Sequence, residues 1–369
     1  MKVAILTQPL TNNYGGILQN FAMQEALRRK GHDVVTLNVC RRIYGRTIDL
    51  HYFLSIAKRF VQKYIQHDPT IIFLEAYKQT AFGDTPQPFQ QRFFKENLNL
   101  EMISPSGLTA ENDKYEAYIV GSDQVWRPIF SPCLQNYYLD FVGNPKAKRI
   151  AYAASFGVNH WEADEKTTEK IAALAKKFNA ISVREHSGLK LCKENLGVEA
   201  VQMLDPTMLL EAEDYRKIYQ KHPSQEGNEP YIATYVLDRN PEIQGVIQSV
   251  SKAFGLPTKR IGKYQKEGFD SLESWLEGID KAKYVITDSF HGCVFSMLFG
   301  KQFVALGNKS RGMTRFEDLF SQFEVPERLV SSHDEAMKSL QMPIDYEKVY
   351  KIMNAKRKLS NQFLDSNLQ

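Results

Sequence analysis

Apolar and polar positions alternate along this chain in two registers. Short β-branched runs that stop at a polar turn alternate with longer stretches whose apolar positions recur at helical spacing. Val3 to Leu6 reads as a buried strand, and Thr7 to Tyr14 as a polar loop. Gly15-Gly16 opens a helix with Ile17, Leu18, Phe21, Ala22 and Ala26-Leu27 on one face. Val34 to Val39 is the next strand. The rhythm returns with strands at Glu116–Val120, Arg149–Ser155, Ala180–Val183 and Ala200–Leu204, and a helix over Glu162–Phe178. After the polar segment Lys221–Glu229 it starts afresh. Tyr231–Val236, Thr258–Ile261, Tyr284–Thr287 and Gln302–Leu306 read as strands. Pro241–Phe254, Ser271–Lys281, Cys293–Phe299 and Tyr346–Leu364 read as helices.

Strands alternating with helices predict an α/β protein with parallel sheets. The restart predicts two α/β halves joined by a hinge, with strand ends facing each other across a cleft. We place an N-terminal domain over 1–210, hinged near Asp205-Pro206-Thr207, and a C-terminal domain over 211–345. The last helix, 346–369, is expected to cross back to the first domain. Residues from about 41 to 110 break the rhythm and read as a helical insertion with a basic first part, Arg41, Arg42, Arg46, Lys58, Arg59 and Lys63. Such a face fits solvent or the surface of an anionic membrane.

The composition narrows the class. The 369 residues are 43% apolar and 24% charged, enough for a sizeable core without staples. A net charge of +4 does not argue for bulk nucleic-acid binding and fits a local site for a small anion or an ordinary surface balance. Cys40, Cys133, Cys192 and Cys293 have neither CxxC spacing nor a disulfide-framework pattern. We therefore expect no metal site and a reducing compartment. The N-terminal apolar run is too short for a signal peptide, so the protein is expected in the cytoplasm.

In open α/β sheets, ligands sit beyond the carboxyl ends of the strands. Candidate residues are therefore those at strand ends. Asn13 and Gly15 stand at a helix N-terminus, which suits an anion or simply close packing. Asp123, after Gly121-Ser122, suits accepting a hydroxyl proton or capping a turn. Arg184 suits a carboxylate or phosphate, or a local ion pair with Glu185. Asp288, Ser289 and His291 follow the strand at Tyr284–Thr287, and the basic loop Lys309–Arg315 follows the next one. This inventory fits an anionic substrate held by arginines while His291 moves a proton.

Three segments together resemble the polysaccharide pyruvyl transferase family: TNNYGGILQNFAMQEAL from Thr11, YIVGSDQVW from Tyr118, and TDSFHGCVFSMLFGKQFVALGN from Thr287. ISVREHSG and MLDPTMLL are in keeping with it. The resemblance implies a GT-B-like fold, two Rossmann-like domains facing across a cleft, and transfer of pyruvate from phosphoenolpyruvate onto two hydroxyls of one sugar, giving a cyclic ketal and phosphate. It implies no cofactor, only a small-molecule donor and a sugar acceptor, free or lipid-linked. By motif, His291 would be general acid or base, Arg184 a phosphoenolpyruvate ligand, and Lys309 or Arg311 a phosphate ligand. Asp123 would lie near the acceptor. One position departs: many members carry arginine where this chain has Ser289. That removes an expected anion clamp and makes Arg311 and Arg315 its candidate replacements. Two other readings share the architecture, a nucleotide-sugar glycosyltransferase and a non-catalytic glycan-binding protein.

Overall fold

The computed structural model describes residues 1–39, 65, 88–131, 133–223, 229–238, 240–262, 270–307 and 313–369. The basic part of the insertion, together with Lys309 and Arg311, lies outside these residues.

Two parallel sheets carry the chain. The first contains β1 (Lys2–Leu6), β2 (Asp33–Val39), β3 (Leu100–Ile103), β4 (Ala117–Val120), β5 (Lys148–Ala154), β6 (Ala180–Val183) and β7 (Val201–Gln202). Their spatial order is β3-β2-β1-β4-β5-β6-β7. The second contains β8 (Ile232–Tyr235), β9 (Thr258–Arg260), β10 (Tyr284–Thr287), β11 (Gln302–Leu306) and β12 (Leu329–Val330), in the order β12-β11-β10-β8-β9. Around the first sheet lie α1 (Tyr14–Arg29), α2 (Pro88–Asn97), α3 (Glu165–Ala175) and the short α4 (Ser187–Leu191). With the second go α5 (Ala212–Gln220), α6 (Pro241–Phe254), α7 (Leu272–Asp280), α8 (Phe290–Leu298), α9 (Thr314–Gln322), α10 (His333–Gln341) and α11 (Tyr346–Asn367). The expected α/β class with two parallel-sheet domains is what the chain forms.

The insertion differs from the expectation at its far end. Leu100–Ile103 is a strand, not helix or loop, and it pairs in parallel with β2 from Thr36↔Leu100 to Val39↔Ile103. With four residues and Glu101 in the middle, its apolar signal is too short to read against the helical stretch before it.

The strand orders define where the crossovers reverse. From β1 the chain moves outward through β2 and β3, then returns to the opposite side of β1 with β4. From β8 it moves to β9, then returns to the other side with β10. Crevices open at such reversals, beyond the carboxyl ends of the strands. One therefore lies at Thr7 and Gly121–Asp123, and the other at Val236 and Asp288–His291.

The domains meet through apolar surface. Tyr14 of α1 stacks on Trp275 of α7, with centroids 5.5 Å apart and planes at 4°. Ile17, Leu18 and Phe21 join one buried cluster with Phe290, Phe295 and Phe303 of the second domain. Helix α1 is consequently buried nearly all round, including polar positions beyond its apolar stripe. Two of these find partners: Gln19 Nε2 donates to Thr7 Oγ1 at 2.8 Å, and Gln24 Nε2 to Thr36 Oγ1 at 2.7 Å. Helix α11 starts on the second domain, where Val349 and Met353 are core residues. It ends on the first, where Leu364 and Leu368 pack with Val3, Ile5 and Leu27.

Truncating this anchor tests its weight. Leu364→Ala removes a fully buried side chain and is expected to cost about 2–5 kcal/mol, read from the denaturant midpoint.

Candidate active site

The polar turn after β10 is shaped by local chemistry. Asp288 accepts from the Leu237 and Asp238 amides at 2.7 and 2.9 Å and ties the β8 loop to the end of β10. It thus works as a strap between the two strand ends. Ser289 is the N-cap of α8, its hydroxyl accepting from the Gly292 amide at 3.4 Å. A Cβ at Gly292 would meet Thr287 Oγ1 at 2.3 Å, so a glycine lets α8 start this close to the strand. His291 sits in the first turn and is 8% exposed.

His291 packs into the other domain. A Cβ at Gly15 would lie 2.0 Å from its Nδ1. The surface of Gly15 read as an anion seat is therefore covered here by the imidazole ring, at the N-terminus of α1. Asn13 caps the same helix, its side chain accepting from the Gly16 amide at 3.3 Å. On its other edge, His291 Nε2 stands 3.7 Å from Asp205 Oδ2. That separation suits an ion pair with the protonated ring but is too long for a hydrogen bond.

Asp205 joins the two domains. It follows β7, is 2% exposed, and gathers donors from several elements. Thr207 gives Oδ1 its amide at 3.0 Å and its hydroxyl at 2.7 Å. Arg184 gives Oδ2 an Nη1–H at 3.0 Å, and Ser122 gives it a hydroxyl at 3.2 Å. Burial alone would raise this carboxyl. The His291 ring, Arg184 and Thr207 outweigh burial and hold it well below the usual carboxylate range.

Arg184 ends β6 and is equally enclosed. Its guanidinium donates to Ser155 Oγ at 3.2 Å and lies 4.3 Å over the Phe290 ring. Burial works against its charge, but Asp205 and Glu185 outweigh that and raise its pKa. Read from sequence as a substrate ligand, Arg184 has two of its nitrogens engaged inside the protein. Its Nε has no hydrogen-bond partner among the described residues.

The Gly121–Asp123 loop faces this cluster. Asp123 takes a left-handed conformation at φ 70°, and its Oδ1 accepts from the Gln124 amide at 2.9 Å. Its charge is felt by Arg184 and by Arg315 of α9. Burial, reinforced by Arg184, pushes the Arg315 guanidinium down to about 10. A crevice of about 310 Å³, including its open mouth, runs between the domains past Arg184, Glu185, Asp205, Phe290, Arg315 and Asp318. Asp318 closes it from α9, accepting from the His186 amide at 3.0 Å and Gln202 Nε2 at 2.9 Å.

The structure thus brings together His291, Ser289, Gly15 and Arg184, with Asp123 facing them. Asp205, the hub of the cluster, was read only as hinge. Its sequence signal is an acid within three residues of the end of an apolar strand run, the pattern also found at Asp123 and Asp288. Among the described residues no cluster of metal-ligating side chains occurs.

Two facing α/β domains with their strand-end crevices opposed form the GT-B architecture. The family model of polysaccharide pyruvyl transferase matches residues 13–310, and the chain belongs to that enzyme family. Its fold is similar to that of the UDP-GlcNAc 2-epimerase from Methanocaldococcus jannaschii. The TM-score is 0.50 at 11% identity, covering 94% of this chain and 93% of that one. It is also similar to the UDP-GlcNAc 2-epimerase from Neisseria meningitidis, at TM-score 0.49 and 11% identity, covering 99% and 100%. A glycosyltransferase from Rickettsia africae ESF-5 matches at TM-score 0.47 and 11% identity, covering 98% and 93%. No curated protein sequence matches the chain.

Two variants test this geometry. Gly15→Ala forces the His291 ring to move. It is expected to lower turnover at least tenfold while the far-ultraviolet spectrum stays native. Asp205→Asn takes from the buried Arg184 the carboxylate it hydrogen-bonds and is expected to destabilise the fold by about 3–5 kcal/mol. Because the folded pKa of Asp205 is depressed, its stabilisation is full above about pH 4 and lost as pH falls below that. Acid titration of the melting temperature should therefore fall less steeply in the variant.

Proposed function

We propose that this protein transfers pyruvate from phosphoenolpyruvate onto two hydroxyls of a sugar in a cell-surface polysaccharide precursor. The observation that carries the reading is the meeting of His291 from one domain with Asp205 from the other, beside the crevice bounded by Arg184 and Arg315. The reaction needs a proton on the methylene carbon of an enol ether and stabilisation of anionic groups around it. His291, with its Nε2 facing the Asp205 carboxylate at 3.7 Å, suits the proton donor. Arg315, with the Lys309 and Arg311 of its preceding loop, suits the phosphate and carboxylate.

The atoms balance as follows. His291 gives a proton to C3 of the donor, and positive charge develops at C2. One sugar oxygen bonds to C2, phosphate departs, and the second oxygen closes the ketal. Of the two hydroxyl protons, one replaces that lost by His291 and the other leaves with phosphate. In this closed form the enclosed part of the crevice has room for about one water, so substrates require the domains to part. Ser289 leaves the α8 end of the site without a fixed cation, which assigns donor charge to the α9 side.

The reading places the work in the cytoplasm, on a sugar that is free or carried by a lipid at the membrane face. Among the described residues no helix is long and apolar enough to cross a membrane. The test is release of phosphate from phosphoenolpyruvate across a panel of nucleotide-linked and lipid-linked sugars. Release should depend on the acceptor and drop at least a hundredfold in His291→Ala. A fully active His291→Ala, or thermal stabilisation by UDP-sugars with none by phosphoenolpyruvate, would overturn it.

A further inference from the structure

Resting on the reading above, we infer that Glu185 is the base that accepts the attacking sugar hydroxyl's proton, with Arg184 Nε as the hydroxyl's hydrogen-bond donor. Glu185 is 2% exposed and lines the interdomain crevice. One of its oxygens is fixed: Oε1 accepts from Ser155 Oγ at 2.6 Å and from the Gly157 amide at 2.9 Å. The other, Oε2, has no hydrogen-bond partner among the described residues, and the same holds for Arg184 Nε. These two atoms are 3.6 Å apart, too far for a good mutual hydrogen bond. A buried acceptor and a buried donor side by side, each lacking a partner, are costly unless something else completes them. A hydroxyl does so, accepting from Nε–H and donating to Oε2.

The seat belongs entirely to the first domain. Ser155 and Gly157 follow β5, and Arg184 and Glu185 follow β6. The opposite side of the crevice, Phe290, Arg315 and Asp318, is carried by α8 and α9 of the second. Parting of the domains therefore widens the crevice while leaving Oε1 clamped and Oε2 aimed. Glu185 also stands across the crevice from the α8 turn that carries the proton donor. Acid and base thus come from opposite domains.

In the proposed step, Oε2 takes the hydroxyl proton as the sugar oxygen bonds to C2. The protonated carboxyl then returns it to the departing phosphate, and the carboxylate is restored. The groups that interact with Glu185 are Arg184 beside it, Arg315 and Asp318 from α9, and the Cys192 thiol.

The experiment compares wild type, Glu185→Gln and Glu185→Asp, with donor binding followed by phosphoenolpyruvate thermal shift. Glu185→Gln keeps an oxygen for Ser155 and Gly157 but removes the base. Expected are a fall in kcat of at least a hundredfold, a donor shift within a degree of wild type, and loss of the acidic limb of the kcat/KM profile. Glu185→Asp should retain the limb with a smaller loss, which keeps the test informative if Glu185→Gln folds poorly. Glu185→Gln within threefold of wild-type kcat, or either variant slowed with an unchanged profile in Glu185→Gln, overturns the base. Wild type that releases no phosphate with any acceptor overturns the pyruvyl-transfer reading instead.

Discussion

The buried carboxylate of Asp205 is the constraint on which the site depends. It is desolvated and would be untenable alone, yet it is held charged by Arg184, Thr207 and the facing His291 ring. Burying one charge forces the rest. Arg184 must be present to neutralise it, Phe290 covers the guanidinium, and Ser155 with Glu185 surrounds the other side. His291, from the second domain, then finds a negative partner only where the two domains meet. A buried ion pair contributes little net stability compared with an apolar pair of the same shape. Its value here is positional, since it fixes where a proton-moving ring rests relative to the first sheet.

Much of the architecture could be read before any coordinates. Four-residue apolar runs such as Tyr284–Thr287, each followed by a polar turn and an apolar helical stretch, announce parallel strands and their crossovers. Arg184 was visible because it stands directly after a strand, and His291 because it opens the helix after one. What stayed hidden depended on contacts between distant parts of the chain. Gly15 signals a helix start, but nothing in its neighbours says that a histidine ring will lie on it. Asp205-Pro206-Thr207 looks like a local cap, which it also is, through Thr207. Its second role comes from Arg184 and His291, and no local pattern links them. The strand at Leu100–Ile103 was missed because four residues with a central glutamate give too weak a periodicity. The amphipathic α5 and α10 went unread, lying in stretches where charged residues dilute the helical stripe.

The placement of Ser289 illustrates how a small side chain alters a site without altering the fold. Its hydroxyl caps α8, a service that a longer cationic side chain would not perform in the same way. The turn keeps its geometry, and positive charge is left to the α9 side of the crevice.

The course of α11 has a mechanical implication. The polypeptide passes between the domains once near Leu209 to Ala212 and again along α11, whose ends belong to different bodies. Two attachment points define a line. Rotation about that line stretches neither link, whereas twisting or sliding strains both. The molecule is therefore built like a book whose spine carries two stitches. Opening about that spine lifts His291 from Asp205, and it must also part the apolar seam where Tyr14, Ile17 and Phe21 meet Trp275 and Phe295.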